Sequence, residues 1–242
     1  MSSSRWFEHW NAISLQESET DLLKQVGKTI DRQPVPMVHI DRIVNTILAA
    51  LDLCTDDRVL DLCCGNGLLT ARIATACDQI LGIDFSAPLI GVANTRNRLG
   101  NVEYLLRSVL ALPEILIERG EATFTKAYMY EAFQHFSQDE AQALLSALGA
   151  HMPVNFRLFL GSIPDRTRLY DFYNTPERRL EYEQRVRDGT EAIGTWWLVS
   201  EVNEIAKAAG FSCAIFRQHD SLYTAHYRFD ALLEIRHAKS LP

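Results

Sequence analysis

The 242-residue chain is 47% hydrophobic and 23% charged, and 24 Lys and Arg against 31 Asp and Glu give a net charge of −7. That balance excludes a disordered chain and, at about 150 residues per domain, fits one domain with additions. An acidic chain repels nucleic-acid phosphates on average, and no apolar run approaches the ~18 residues of a membrane span.

The five cysteines, at positions 54, 63, 64, 77 and 213, contain no C-x-x-C pair. Zinc ribbons and thioredoxin-type motifs are therefore absent, and reduced thiols in a cytoplasmic protein are expected. The opening residues MSSSRWFEHW lack the hydrophobic core of a signal peptide.

Residues 1–37 read as a helical cap, because Trp6, Phe7 and Trp10 need something to bury against. From Ile40 the apolar residues Ile43, Val44, Ile47, Leu48 and Leu51 follow a helical rhythm. A short buried strand follows at 58–62, then a helix at 68–77 and a second strand at 79–84. Ser86 is placed to cap a helix that runs to Gly100. Strands at 102–106, 125–130 and 156–161 come next, with a capping box at Ser137 and Glu140 opening a helix between the last two.

A further helix is expected at 200–209 and two closing strands at 211–217 and 221–230. This alternation implies an α/β fold with a mainly parallel sheet, helices on both faces, and a crevice at the carboxyl ends of the first strands. The cofactor core occupies 38–163 and a C-terminal part 200–242. Residues 164–199 interrupt the alternation. Their helix pairs Glu181 with Arg185 and Glu183 with Arg187 and is polar nearly all round. It is either a solvated connector or part of a lid over the site.

The most informative stretch is Val59-Leu-Asp-Leu-Cys-Cys-Gly-Asn-Gly67. A strand runs through an acidic residue into two glycines and then a helix, and Asp84 closes the next strand. Glycines permit a sharp turn and close approach of backbone to a ligand, and a carboxylate at the second strand's end takes ribose hydroxyls. The dinucleotide pattern G-x-G-x-x-G fails at Thr70. Gly27-Lys28-Thr29 ends like a phosphate loop, but Leu22 stands at the position of its first glycine. An acid beside the loop repels pyrophosphate and suits a ligand carrying a cation.

Residues 59–67 together with Ile80-Leu-Gly-Ile-Asp-Phe-Ser86 resemble the first motif and the ribose-binding acidic loop of the class I S-adenosylmethionine-dependent methyltransferases. The resemblance runs in order across about residues 40–160. It implies a doubly wound Rossmann-like sheet with an antiparallel final strand, and S-adenosylmethionine as cofactor. Asp61 would hold the methionine ammonium, and Cys63, Gly65, Asn66 and Gly67 would meet the cofactor through backbone. Asp84 would bind the ribose and Phe85 would lie against the adenine. The family's adenine-facing acid aligns with Ser108, whose hydroxyl, or the backbone of Val109, takes that contact instead.

Methyl transfer needs alignment of the nucleophile, and an oxygen nucleophile usually needs a base as well. His135 and Tyr128, at and after the end of the fourth strand, are the candidate catalytic residues. Tyr130, Glu131, Tyr173, Trp196 and Trp197 are candidates for the acceptor pocket. The two tryptophans are adjacent, so in an extended segment only one can face the core. No His, Asp and Glu cluster has metal-ligand spacing, so no metal is expected. The expected activity is methylation of an oxygen or nitrogen of a small molecule by a monomer or homodimer, with no nucleic-acid or membrane partner. The alternatives are an RNA or protein methyltransferase, or a non-catalytic nucleoside-binding module. The Asn-Pro-Pro-Tyr motif of base amino-group methylation is missing.

Overall fold

The computed structural model describes residues 3–16, 21–119 and 124–236. Strands β1 (Arg58–Leu62), β2 (Gln79–Asp84), β3 (Val102–Leu106), β4 (Lys126–Tyr130), β5 (Arg157–Pro164), β6 (Phe211–Arg217) and β7 (Arg228–Ile235) form one sheet in the order β3-β2-β1-β4-β5-β7-β6. The first five run parallel, and β7 lies antiparallel between β5 and β6. The antiparallel final strand is as expected.

Side-chain alternation decides what each face of the sheet meets. Leu60 and Leu62 of β1, with Ala127 and Met129 of β4, enter one apolar layer. That layer is covered by helices α4 (Leu112–Glu118), α5 (Gln138–His151) and α7 (Val199–Ala208). Val59, Tyr128 and Tyr130 enter the opposite layer, under Ile40, Ile43, Ile47 and Leu51 of α2 (Met37–Leu51). Asp61 shares the face of Val59, and the β1–β4 register sets it directly beside Tyr128.

The remaining helices are α1 (Ser3–Gln16), α3 (Ala87–Arg96) and α6 (Pro176–Arg187), with single turns at Leu22–Gln25, Thr70–Ile73 and Leu169–Phe172. The capping box at Ser137 forms with both of its hydrogen bonds, and Ser86 caps α3 by accepting from the Leu89 amide.

Several expectations are corrected. The helix expected at 68–77 is one α turn that tightens into a 3₁₀ turn at Ala74–Ala76. The last strand is Arg228–Ile235 rather than 221–230, and residues 221–227 are turns. Its register on β5 carries a bulge between Leu160 and Ile163, where Ser162 adopts a left-handed φ of 63°. The polar helix α6 has no buried residue and behaves as a solvated connector. The aromatic residues flanking it do not reach the crevice. Leu169, Tyr173, Trp196 and Tyr227 form a separate satellite cluster.

One close approach ties α5 to the end of α7. A Cβ on Gly149 would collide with the carbonyl oxygen of Ala209, just before the chain reverses at Gly210 (φ 87°) into β6. Gly to Ala inside a helix normally gains about 0.5–1 kcal/mol, whereas forcing backbone apart costs about 1–3 kcal/mol. Gly149→Ala is therefore expected to lower the urea-unfolding free energy by roughly 1–2 kcal/mol. A stabilised variant would contradict the approach.

Candidate active site

A cavity of about 480 Å³ opens at the carboxyl edge of the sheet, beside β1 and β4, between which the strand order reverses. This is the point at which open α/β sheets bind ligands. Its floor is the turn after β1. Cys63 (φ 64°) and Gly65 (φ 56°) are both left-handed there, which bends the backbone back on itself. A Cβ at Gly65 would press on Val26 at 3.0 Å, so the turn is held between the sheet and residues 22–28.

Two buried carboxylates face this cavity. Asp61 accepts from the Thr70 and Tyr128 hydroxyls, both at 2.5 Å and both on the same oxygen. Burial pushes its pKa up to about 7, with the two hydroxyls pulling down and Asp84 pushing further up. Asp84 accepts from the amides of Gly65 (2.9 Å) and Ser86 (2.8 Å), and burial raises it as well. Neither carboxylate has an ion-pair partner among the described residues. The site thus holds two desolvated acids that a cationic, hydroxyl-bearing ligand would satisfy and a pyrophosphate would not.

One wall is apolar, formed by Phe85, Leu89, Val109 and Leu110 beside the Ser108 hydroxyl, which itself caps the following 3₁₀ turn through the Leu110 amide. The roof is α1. Trp6 is 2% exposed and its ring lies 4.1 Å from that of His135, Trp10 reaches the same histidine, and Phe7 packs on Phe85 at 5.6 Å. The Ser86 hydroxyl donates to Asn11 at 2.9 Å and fastens this helix to α3.

Of the residues expected at the site, Asp61, Cys63, Gly65, Asn66, Asp84, Phe85, Ser108, Val109, Tyr130, Glu131 and His135 line the cavity. Asn66 does so with its polar groups already engaged. Its amide donates to Leu22 and Gln25, its side-chain oxygen accepts from the Leu68 amide, and its backbone oxygen accepts from Asn97. It stitches residues 22–25 to the glycine turn.

Five expected residues lie elsewhere. Gly67 turns away beneath Tyr104, whose hydroxyl fills the space of a Cβ. Tyr128 is buried under Asp61, spends its hydroxyl there and does not line the cavity. Trp197 packs in the main core against Phe133 at 4.9 Å. Tyr173 donates to Glu191 and joins Trp196 in the satellite cluster.

His135 reaches the cavity in a form unsuited to general-base work. Burial, then Arg228, His9 and Arg5, lowers its pKa to about 3, and its Nε2 accepts from the Trp10 indole at 3.3 Å. What reading the sequence missed is Lys28. It is 4% exposed, ion-paired with Glu131 and set into the cavity wall. The only signal was a lysine following Gly27, which had been tested against a phosphate loop alone.

The fold and these two carboxylates suit a cationic nucleoside. Residues 59–152 match the family model described as a methyltransferase domain. Over 83 residues the chain is 37% identical to the ubiquinone biosynthesis O-methyltransferase of Rhizobium etli, covering 34% of this chain and 32% of that protein. Over 86 residues it is 35% identical to the 23S rRNA (uracil(1939)-C(5))-methyltransferase RlmD of Edwardsiella ictaluri, covering 32% and 20%. The chain thus spans about a third or less of the curated relatives it matches. The crystal structure of the magnesium protoporphyrin IX methyltransferase ChlM from Synechocystis, with bound S-adenosylhomocysteine, superposes with a TM-score of 0.63 at 18% identity, covering 96% of this chain and 99% of that one. Residues 59–152 thus match a methyltransferase domain, and the chain shares its fold with a methyltransferase crystallised with S-adenosylhomocysteine.

The raised Asp61 pKa gives a signed prediction. A ligand ammonium pairs only with the ionised form, so affinity for S-adenosylhomocysteine falls as pH drops from 8 to 6, approaching about tenfold per unit below the pKa near 7. Tyr128→Phe removes a bond to the carboxylate, raises that pKa and moves the fall to higher pH, whereas Asp61→Asn binds weakly with no such dependence. In the ligand-free protein the sign reverses. The folded pKa exceeds the unfolded one, so this group's contribution to stability declines as pH rises through 7. Calorimetric titrations and thermal melts across pH check both directions.

Proposed function

We propose that the protein transfers a methyl group from S-adenosylmethionine to an oxygen or nitrogen of a small molecule. The observation that carries the cofactor part is the pair of buried carboxylates, Asp61 and Asp84, without a cationic partner among the described residues. Asp61 suits the cofactor's ammonium. Asp84, whose oxygens accept from backbone amides of Gly65 and Ser86, keeps lone pairs for ribose hydroxyls. Phe85, Leu89, Val109 and Leu110 suit the adenine faces. When bound, the cofactor supplies a methyl group made electrophilic by its sulfonium charge, so the protein's task is to align the acceptor and exclude water.

The small-molecule reading rests on the roof. Trp6, Phe7 and Trp10 of α1, with Ala132 and Phe136 after β4, surround the cavity with apolar surface. A cavity with this apolar roof fits a compact acceptor better than a polymer, whose backbone would need a basic groove. The net charge of −7 points the same way.

Calorimetry should register S-adenosylmethionine and S-adenosylhomocysteine but not an NAD-type dinucleotide. Asp84→Ala should cost about 1.5–3 kcal/mol of that binding, as expected for a lost charge-assisted contact. Failure of both nucleosides to bind would reject the reading.

A further inference from the structure

Among the described residues the cavity wall carries one lysine or arginine, Lys28, and its setting is unusual. Its backbone is fixed on both sides, the amide donating to Leu23 and the carbonyl accepting from Val35. Its side chain is 5% exposed and donates to Glu131, and among the described residues this is its only hydrogen-bond partner. The ammonium also lies 4.9 Å from the centroid of the Tyr130 ring. An ammonium has three donors, so two remain unspent at a surface that lines the cavity. Glu131, by contrast, is nearly saturated. It accepts from Lys28, from the Ser162 hydroxyl (3.3 Å) and from the Tyr223 hydroxyl (3.2 Å). Its own backbone is left-handed (φ 55°), held by its amide on Gly161 and by the Gln134 side chain on its carbonyl. Behind it, Arg228 is 6% exposed and donates to the Ser162 carbonyl and to Gln134.

Building on the methyl-transfer reading above, we propose that Lys28 is the acceptor-recognising residue and that the acceptor is an apolar, aromatic-sized molecule carrying an anionic oxygen, a carboxylate or an acidic hydroxyl. Three features converge on this class. The only polar hydrogens offered by the pair to the cavity belong to the ammonium, because the carboxylate is spent on protein donors. The rest of the chamber around it, Trp6, Trp10, Ala132 and Phe136, matches an apolar body. And two candidate bases in the wall are already engaged: the His135 Nε2 by Trp10, and one Glu140 oxygen by the Ser137 amide. An oxygen that ionises easily needs no such base, and a cation beside it favours the ionised form. A protonated amine, facing Lys28 together with a sulfonium donor, would meet two like charges in a desolvated chamber. The step balances simply. The carbon–sulfur bond of the donor breaks as a carbon–oxygen bond forms, the electron pair stays on sulfur, and the anion and the sulfonium neutralise each other with no proton left to place.

The test uses the intact protein saturated with S-adenosylhomocysteine and three isosteric probes, naphthalene-2-carboxylate, naphthalene-2-carboxamide and 2-naphthylmethylammonium, titrated by calorimetry. The carboxylate is expected to bind about tenfold or more tighter than the amide, and the ammonium least of all. Lys28→Met should abolish the preference while leaving S-adenosylhomocysteine affinity within about threefold, well below the effect of losing a charge-assisted contact. Because that variant leaves Glu131 buried without its partner, Lys28→Met combined with Glu131→Gln removes the pair as a unit and should give the same loss of preference. Equal or tighter binding of the amide or the ammonium, a preference that survives both variants, or no binding of any probe would overturn the proposal. So would a tenfold loss of S-adenosylhomocysteine affinity in Lys28→Met, which would assign the ammonium to the cofactor's own carboxylate. Failure of the wild type to bind S-adenosylhomocysteine is a separate result that rejects the cofactor reading and this one with it.

Discussion

The site depends on a carboxylate that the fold buries without a countercharge. Asp61 sits at 3% exposure on the central strand, and two hydroxyls only partly compensate its desolvation. Such a group is costly in isolation and becomes favourable once a cation arrives. The neighbouring structure serves this one arrangement. Tyr128 is delivered to Asp61 by strand register, Thr70 comes from the turn after the glycines, and Asp84 ends the adjacent strand close enough to raise the pKa of Asp61 further. The proposed cofactor's positive charge would answer this deficit in the protein.

The opposite logic governs the far wall. There the charges are paired in advance: Lys28 with Glu131, and Arg228 behind them near Asp230. Burial pushes Glu131 upward, yet the two cations hold it below the ordinary carboxylate range and therefore ionised. A pre-neutralised cluster does not demand a counter-ion, so it can discriminate by which hydrogens remain available. On the proposed reading, an unpaired acid faces the donor and a paired cation faces the acceptor, so one small cavity would hold two charged ligands.

The roof has a comparable economy. The helix α1, expected as part of a cap, lines the cavity, whereas the inserted segment 164–199, read as either a solvated connector or part of a lid, places Leu169, Tyr173 and Trp196 in a satellite cluster with Tyr227. The difference is one of anchoring. α1 is tied to the site by Asn11 on Ser86 and by Trp10 on His135, while α6 packs its Tyr182 on Tyr173 of the satellite cluster, away from the cavity.

The sequence by itself determined the doubly wound sheet, the glycine turn and both acids, because each is written in local periodicity or in fixed spacing along consecutive elements. Asp61, Gly65 and Asp84 needed only the strand–turn–helix–strand order to be placed. What tertiary structure alone decided were contacts between residues remote along the chain. Lys28 meets Glu131 across 103 positions and Trp10 meets His135 across 125. Tyr128 lay within a recognised strand, but whether its hydroxyl pointed at an acceptor or at Asp61 depended on which strand became its neighbour. Trp196 and Trp197 were judged by alternation, yet both found buried space, one in the satellite cluster and one in the core. Local pattern fixes the elements because backbone hydrogen bonding and side-chain periodicity act over a few residues. The partner of a buried charge or ring is chosen only when desolvation forces distant groups to satisfy one another.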